Sequence, residues 1–152
     1  MVSRPLSRLT HTLVAGSTGA GKSVLLHALA TQLSRHPDVA TLYLVDFKFG
    51  VEFAAYEGHC PHVRVLWQFE ELAAVAGELV ERMKKRFARL RERGLREWLG
   101  KRIFLIIDEI SELQPGPSEE RSKADNAWRW QLLDDLADLG KLSCAAVSAS
   151  AP

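Results

Sequence analysis

Eight consecutive residues constrain this chain more than any others: Gly16, Ser17, Thr18, Gly19, Ala20, Gly21, Lys22 and Ser23, with the apolar run Leu13-Val14-Ala15 in front. Their spacing, G-x-x-x-x-G-K-[ST], is that of a phosphate-binding loop. Glycines let the backbone curl so that several N–H groups face one concavity, which makes an anion cradle. A helix beginning near Gly21 would turn its positive end on the same anion. In that arrangement Lys22 reaches the terminal phosphates and the Ser23 hydroxyl ligates Mg²⁺. The nucleotide-binding set is therefore Gly16, Ser17, Thr18, Gly19, Ala20, Gly21, Lys22, Ser23 and the adjoining Val24.

Such a loop needs a strand before it and a helix after it, and the rest of the chain supplies both kinds of element. Residues 10–15 read as a short buried strand. Val24, Leu25, Ala28, Leu29 and Leu33 recur at helical spacing, and Pro37 closes that helix. Residues 41–47 form a β-branched and aromatic run, hence a second strand, and 62–66 a third. Between them, 48–61 reads as a connection with one helical turn. The longest periodic segment begins at Phe69, with Leu72, Ala76, Leu79, Met83, Phe87 and Leu90 on one face. Glu78–Arg82 and Glu81–Lys85 are i,i+4 pairs in the favourable order, and Gly94 ends the helix. Residues 102–107 are the most hydrophobic strand. Pro115, Gly116 and Pro117 mark a loop, Ser122 and Asp125 match a capping box for a helix to about residue 139, and 143–148 read as a last strand. The expected fold is α/β: a mostly parallel, five-stranded sheet covered by helices on both faces. Residues 1–9 would be an arm and 10–152 one ATPase core.

The strand at 102–107 runs into Asp108 and Glu109. A buried strand ending in two carboxylates beside a phosphate loop is a Walker B arrangement. Asp108 would hold Mg²⁺ through water, and Glu109 would act as general base on the attacking water. The catalytic pair is thus Glu109 and Lys22, and the metal pair Ser23 and Asp108. A base directly after the Mg²⁺ aspartate points to hydrolysis as well as binding.

Four stretches resemble the motor domain of FtsK/SpoIIIE-type DNA translocases, within the RecA-like and HerA-like ring ATPases. They are Thr12 to Val24; Leu44-Val45-Asp46-Phe47-Lys48 with Glu52 to Gly58 and Pro61-His62; the helix carrying Glu81-Arg82-Met83 and Arg86-Phe87; and Leu105 to Ile110 with Glu112-Leu113. The second discriminates best, because Walker motifs are shared by many families. The resemblance implies a RecA-like P-loop NTPase fold, Mg-ATP hydrolysis, double-stranded DNA as partner, and a homo-oligomeric ring, a hexamer in the family. A neighbour's arginine would touch the γ-phosphate, and Arg121 and Arg129 are the candidates after Walker B. The chain departs from the family at Phe47, where proline is usual, at Lys141, where arginine is frequent, and at Ser150, in the place of a polar sensor glutamine. It reads as a trimmed core. The alternatives are a secretion or conjugative-coupling ATPase on the same core, and a nucleotide-binding module that does not hydrolyse, which Ser150 favours.

Composition adds limits. The net charge of +1 gives no overall attraction to nucleic acid or membrane, yet ten of the twenty Lys and Arg residues lie between Arg82 and Arg102. That tract reads first as a solvated helix face and second as a DNA-backbone contact. Cys60 and Cys144 have no spaced partners and read as reduced thiols. His59-Cys60-Pro61-His62 is too short a cluster for a zinc site. Without an apolar run of membrane-spanning length, the chain is expected to be cytoplasmic, and a larger parent protein could still carry an anchor. Trp128 and Trp130 cannot share a helix face, so one should pack inside and the other face outward, while Trp67 and Trp98 read as packing residues.

Overall fold

The computed structural model describes residues 11–15, 17, 19–113 and 123–148, with side chains in the last helix described from 127 to 140. Six principal elements follow in the order α1 (Lys22–Ser34), β1 (Val39–Asp46), β2 (Val63–Leu66), α2 (Phe69–Glu92), β3 (Arg102–Asp108) and α3 (Lys123–Ser148). Short 3₁₀ turns at Ala54–Tyr56 and Ile110–Leu113 lie in the connections.

β1 is the centre of the fold. It pairs in parallel with β2 on one side and β3 on the other, giving the strand order β2-β1-β3. Side chains alternate across a strand, and both faces of β1 are apolar. Leu42 and Leu44 enter one core with Leu26, Ala30 and Leu33 of α1 and with Phe53 and Val63. Tyr43 and Val45 enter the other with Leu72, Val75, Ala76 and Leu79 of α2 and Leu132 of α3. The molecule is therefore three layers, α1 over one face of the sheet and the α2–α3 pair over the other.

α2 runs within a residue of its expected bounds, because its signals are strong at every position that matters. Glu71 reaches back from the first turn to accept from the backbone N–H of Gln68 and Trp67 (3.4 Å each). At the other end Gly94 takes φ 62°, with Leu95 N–H bonded to Leu90 O (2.9 Å) and Gly94 N–H to Arg91 O (3.2 Å). That is a Schellman termination, which needs a left-handed residue. Of the expected charge pairs, Glu81 instead meets Lys84, one turn position nearer than Lys85, at 2.8 Å.

Four expectations are corrected. The sheet has three strands among the described residues, not five. Residues 11–15 are irregular, and Leu13 is 79% exposed. An apolar run of three residues, flanked by His11 and Thr12 and by the glycine loop, has too little to bury to hold a place in the sheet. Residues 143–148 continue α3 as helix instead of forming a strand. A short apolar run does not itself distinguish the two states, and Ala145 and Ala146 are the strongest helix formers. The buried stripe of α1 is also rotated from the expected one. Leu26, Ala30 and Leu33 face the sheet, whereas Val24 is 74% exposed and Leu25 is exposed as well.

Candidate functional site

The topology brings the two halves of the expected site to one edge. α1 ends at Ser34 and β1 begins at Val39, so α1 packs back along the sheet and runs against β1. The start of α1 then lies at the end where β1 and β3 finish, the edge at which parallel α/β sheets bind ligands.

On the α1 side, Gly21 adopts φ 85° and ψ 18° immediately before the first helical residue, a conformation that glycine takes without steric cost. Gly19 is also left-handed, and Ala20 N–H closes a turn on Ser17 O (3.1 Å). The Lys22 ammonium folds over this turn and donates to Ser17 O (3.0 Å). Ser23 is half-buried in the first turn. That turn carries no acidic residue, so the positive end of the helix is left for an external anion. Gly16 and Thr18 lie outside the described residues, and Val24 faces solvent.

On the sheet side, β1 and β3 end in register, Asp46 opposite Asp108. Asp46 is fully buried and ties down the chain beyond it: Oδ1 accepts from Lys48 N–H (2.8 Å) and Oδ2 from Glu52 N–H (2.9 Å). Inside the loop so closed, Phe49 sits at φ 62° and is 85% exposed. Lys48 projects from this loop and its ammonium contacts Glu109 Oε1 at 2.5 Å. Glu109 itself has φ 58°, a left-handed backbone at a non-glycine residue, and its N–H bonds to Asp108 Oδ1 (3.0 Å). Burial pushes the Asp108 carboxyl above its usual range, and the charges of Glu109, Glu52 and Asp46 add to that, against the Glu109 N–H. Lys48 is raised, first by its hydrogen bond to Glu109 and then by the charge of that carboxylate. A hydroxyl, carboxylates and a helix N-terminus at one edge form a donor set suited to a hard cation bound together with an anion.

Asp46, Lys48 and Glu52 were not among the site residues expected from spacing. Their signal was present in the Asp46-Phe47-Lys48 and Glu52-to-Gly58 stretches that carry the family resemblance. A second polar group braces α1 against the same connection. His27 Nδ1 meets the Tyr56 hydroxyl (3.2 Å) and Nε2 meets Glu52 Oε1 (3.2 Å), while Thr31 Oγ1 lies 2.9 Å from Tyr56. His62 donates from Nε2 to Ser34 O (2.9 Å), which gives that histidine a structural task. No set of three or more His, Cys, Asp or Glu among the described residues could hold a metal by itself.

Arg129 does not reach outward to a neighbouring subunit's nucleotide. It is only 7% exposed, donates to Glu112 O, and lies over the rings of Phe69 (4.6 Å) and Trp128 (4.8 Å). Arg121 and Ser150 lie outside the described residues, as does the side chain of Lys141. Trp128 packs on Phe69 (5.4 Å) while Trp130 is 59% exposed, the division the sequence implied. Most of the basic tract is exposed. Arg86 instead stacks over Trp98 (4.8 Å) and donates to Lys101 O (3.4 Å). None of the described helices is long and apolar enough to cross a membrane.

A family model described as FtsK/SpoIIIE family matches residues 1–114, three quarters of the chain. The chain belongs to the FtsK/SpoIIIE family. It is 32% identical over 142 residues to the DNA translocase FtsK of Corynebacterium glutamicum, covering 91% of this chain and 15% of that protein. The ESX-4 secretion system protein EccC4 of Mycobacterium tuberculosis is 34% identical over 125 residues, covering 68% of this chain and 10% of that protein. Among solved structures, the monomer form of the pCW3 conjugation coupling protein TcpA with ATPγS superposes with a TM-score of 0.77. It is 32% identical and covers 92% of this chain and 41% of that one. The chain thus spans about a seventh of the FtsK relative's length.

Proposed function

We propose that this chain is the nucleotide-binding core of an ATP-driven motor that moves double-stranded DNA, working in a homo-oligomeric ring, a hexamer, on the cytoplasmic side. The observation that carries the reading is the placement of the Gly21–Lys22–Ser23 helix start at the same sheet edge as Asp108 and Glu109. Lys22, now folded on Ser17 O, swings to the β- and γ-phosphates. The N–H groups of the loop and first turn of α1 bind phosphate oxygens. Ser23 and Asp108 would hold Mg²⁺, their hydroxyl and carboxylate oxygens being the ligand type that ion prefers. When bound, the ion neutralises charge on the transferring phosphoryl group. Glu109 accepts the proton of the attacking water. The fold is the RecA-like P-loop type, which the likeness to an ATPγS-bound structure supports.

The test is ATP turnover with and without duplex DNA across a salt series. DNA-stimulated turnover that fades with salt is expected. Lys22→Ala should abolish nucleotide binding, and Glu109→Gln should preserve binding while stopping turnover. Intact turnover in either variant overturns the assignment. The similarity to a secretion-system protein and to a conjugation coupling protein favours a second reading, transport of protein or of a protein–DNA complex on the same core. Stimulation by a protein substrate and not by bare DNA would select it.

A further inference from the structure

Among the described residues, Lys48 is a site cation whose contact is neither part of the phosphate loop nor needed for the chemistry just described. Its backbone is fixed: Asp46, fully buried, accepts its N–H, and Val51 N–H closes on Lys48 O (3.4 Å). Its side chain is free to swing, being 69% exposed, and rests on a carboxylate that is 34% exposed. An exposed ion pair of this kind is weak, so it can be exchanged for a better partner. The position of Glu109 says where that partner would stand. A general base must lie within hydrogen-bond reach of the water it activates, and that water must touch the γ-phosphate. An ammonium in contact with Glu109 Oε1 is therefore about one water's width from the γ-phosphate oxygens, and a lysine side chain crosses that gap by rotating its terminal bonds.

We propose that Lys48 is a positioning residue that latches Glu109 in the nucleotide-free state and transfers to the γ-phosphate when a triphosphate binds. The latch has two consequences. Without nucleotide, Glu109 is held by a cation and is not available to polarise water. With a triphosphate, the added negative charge beside the P-loop outcompetes a single carboxylate, Lys48 leaves, and Glu109 is released next to its water. A diphosphate offers no γ-oxygen and leaves the latch closed. Glu109 (φ 58°) and Phe49 (φ 62°), the residue after Lys48, both hold a left-handed backbone, which an L-residue rarely adopts and which tertiary contacts must maintain. The other charged groups acting on Lys48 among the described residues are Asp108 and Asp46, both negative, so a larger anion is what would draw it away from this corner.

The inference rests on the nucleotide-site reading, and the experiment separates the two. Affinities for ATPγS and ADP would be measured by calorimetry for the unaltered chain and for Lys48→Met, Lys48→Arg, Glu109→Gln and the Lys48→Met/Glu109→Gln pair. Lys48→Met should weaken ATPγS about 5- to 10-fold and leave ADP unchanged, with Lys48→Arg restoring most of the difference. Glu109→Gln should strengthen ATPγS a few-fold, and that gain should vanish in the Lys48→Met background, because no latch is left to open. A lysine that merely braced the loop would weaken both nucleotides equally, and that result overturns the proposal. A gain from Glu109→Gln that persists without Lys48 also overturns it, because it would come from the glutamate's own charge. If Lys22→Ala has no effect on either nucleotide, the site reading fails and the latch fails with it. If binding depends on Lys22 but the ATPγS-to-ADP ratio ignores Lys48, the latch alone fails.

Discussion

Replacing Asp46 tests whether the sheet edge is organised from beneath. The carboxylate is fully buried at the end of β1 and accepts the N–H groups of Lys48 at 2.8 Å and Glu52 at 2.9 Å. Asp46→Ala leaves both amides without their acceptor. A buried group that loses its partner costs about 1–3 kcal/mol. Water can reach this loop, since Lys48 and Phe49 are exposed, so the low end of that range applies to each. Removing a buried carboxylate also relieves its own desolvation, which offsets part of the loss. The net destabilisation should be about 1.5 kcal/mol, which lowers a urea midpoint by about 0.7 M at a typical slope near 2 kcal/mol/M. Asp46→Asn keeps the shape and one acceptor but turns an N–H toward the other amide, and should cost about 1 kcal/mol. Urea titration gives the totals, and amide hydrogen exchange shows where the loss occurs. Both the Lys48 and Glu52 amides should lose protection in the alanine variant, and only one of them in the asparagine variant. An unchanged midpoint together with unchanged exchange at both amides would refute the reasoning.

Arg129→Ala should destabilise by about 3 kcal/mol, since it opens a cavity beside Phe69 and Trp128 and deprives the Glu112 carbonyl of a donor. Arg129→Met, which refills the space, should cost about half as much, and thermal unfolding followed by tryptophan fluorescence separates the two. Gly94→Ala should cost about 1 kcal/mol through φ alone, because an added Cβ meets nothing within 4 Å; a neutral urea midpoint would contradict the Schellman assignment. Asp108 is expected to make stability fall as pH rises. Burial raises its folded-state pKa above the usual aspartate range, so the folded chain binds more protons than the unfolded chain just above that range. Asp108→Asn should flatten the stability profile through pH 4 and the interval above it, and a profile unchanged by the substitution would show that the carboxyl is not held up.

Elements with long or saturated signals were legible in the sequence. α2 carries an apolar stripe from Phe69 to Leu90, acid at its start and a glycine at its end, so each local preference agrees with the packing it receives. β1 and β3 are apolar on both faces, as strands of parallel sheets covered on both sides are. The failures came where a signal was short or two-valued. Leu13-Val14-Ala15 looks like a strand but finds no partner among the described residues. In α1, nearly every position from Val24 to Leu33 is apolar or small, so periodicity alone could not choose between the stripe at Leu25 and Leu29 and the true one at Leu26, Ala30 and Leu33. The glycine-loop and double-carboxylate spacings could be read off the chain, and the structure puts Lys22 and Ser23 at the start of α1 and Asp108 and Glu109 at and just after the end of β3. The Lys48–Glu109 contact was not legible, since its partners are 61 residues apart and meet only through the register of two strands.

That register ties the site to the core. Tyr43 opposes Leu105, Val45 opposes Ile107, and Asp46 opposes Asp108. A slip of β3 by one residue would move Leu105 and Ile107 out of the α2–α3 core and Phe104 and Ile106 out of the α1 core, because side chains alternate across a strand. The half-buried β3 side chains pack against a core on each face of the sheet, so either exchange would disturb packing at once. The apolar layers therefore hold Asp108 level with Asp46, and the fixed loop after Asp46 then sets Lys48 against the residue that follows Asp108. The position of Glu109 is thus determined by the packing of Leu42, Leu44, Tyr43 and Val45 before any ligand arrives. A substitution in that quartet that shifts the β1–β3 register should change nucleotide discrimination even though none of the four touches the site.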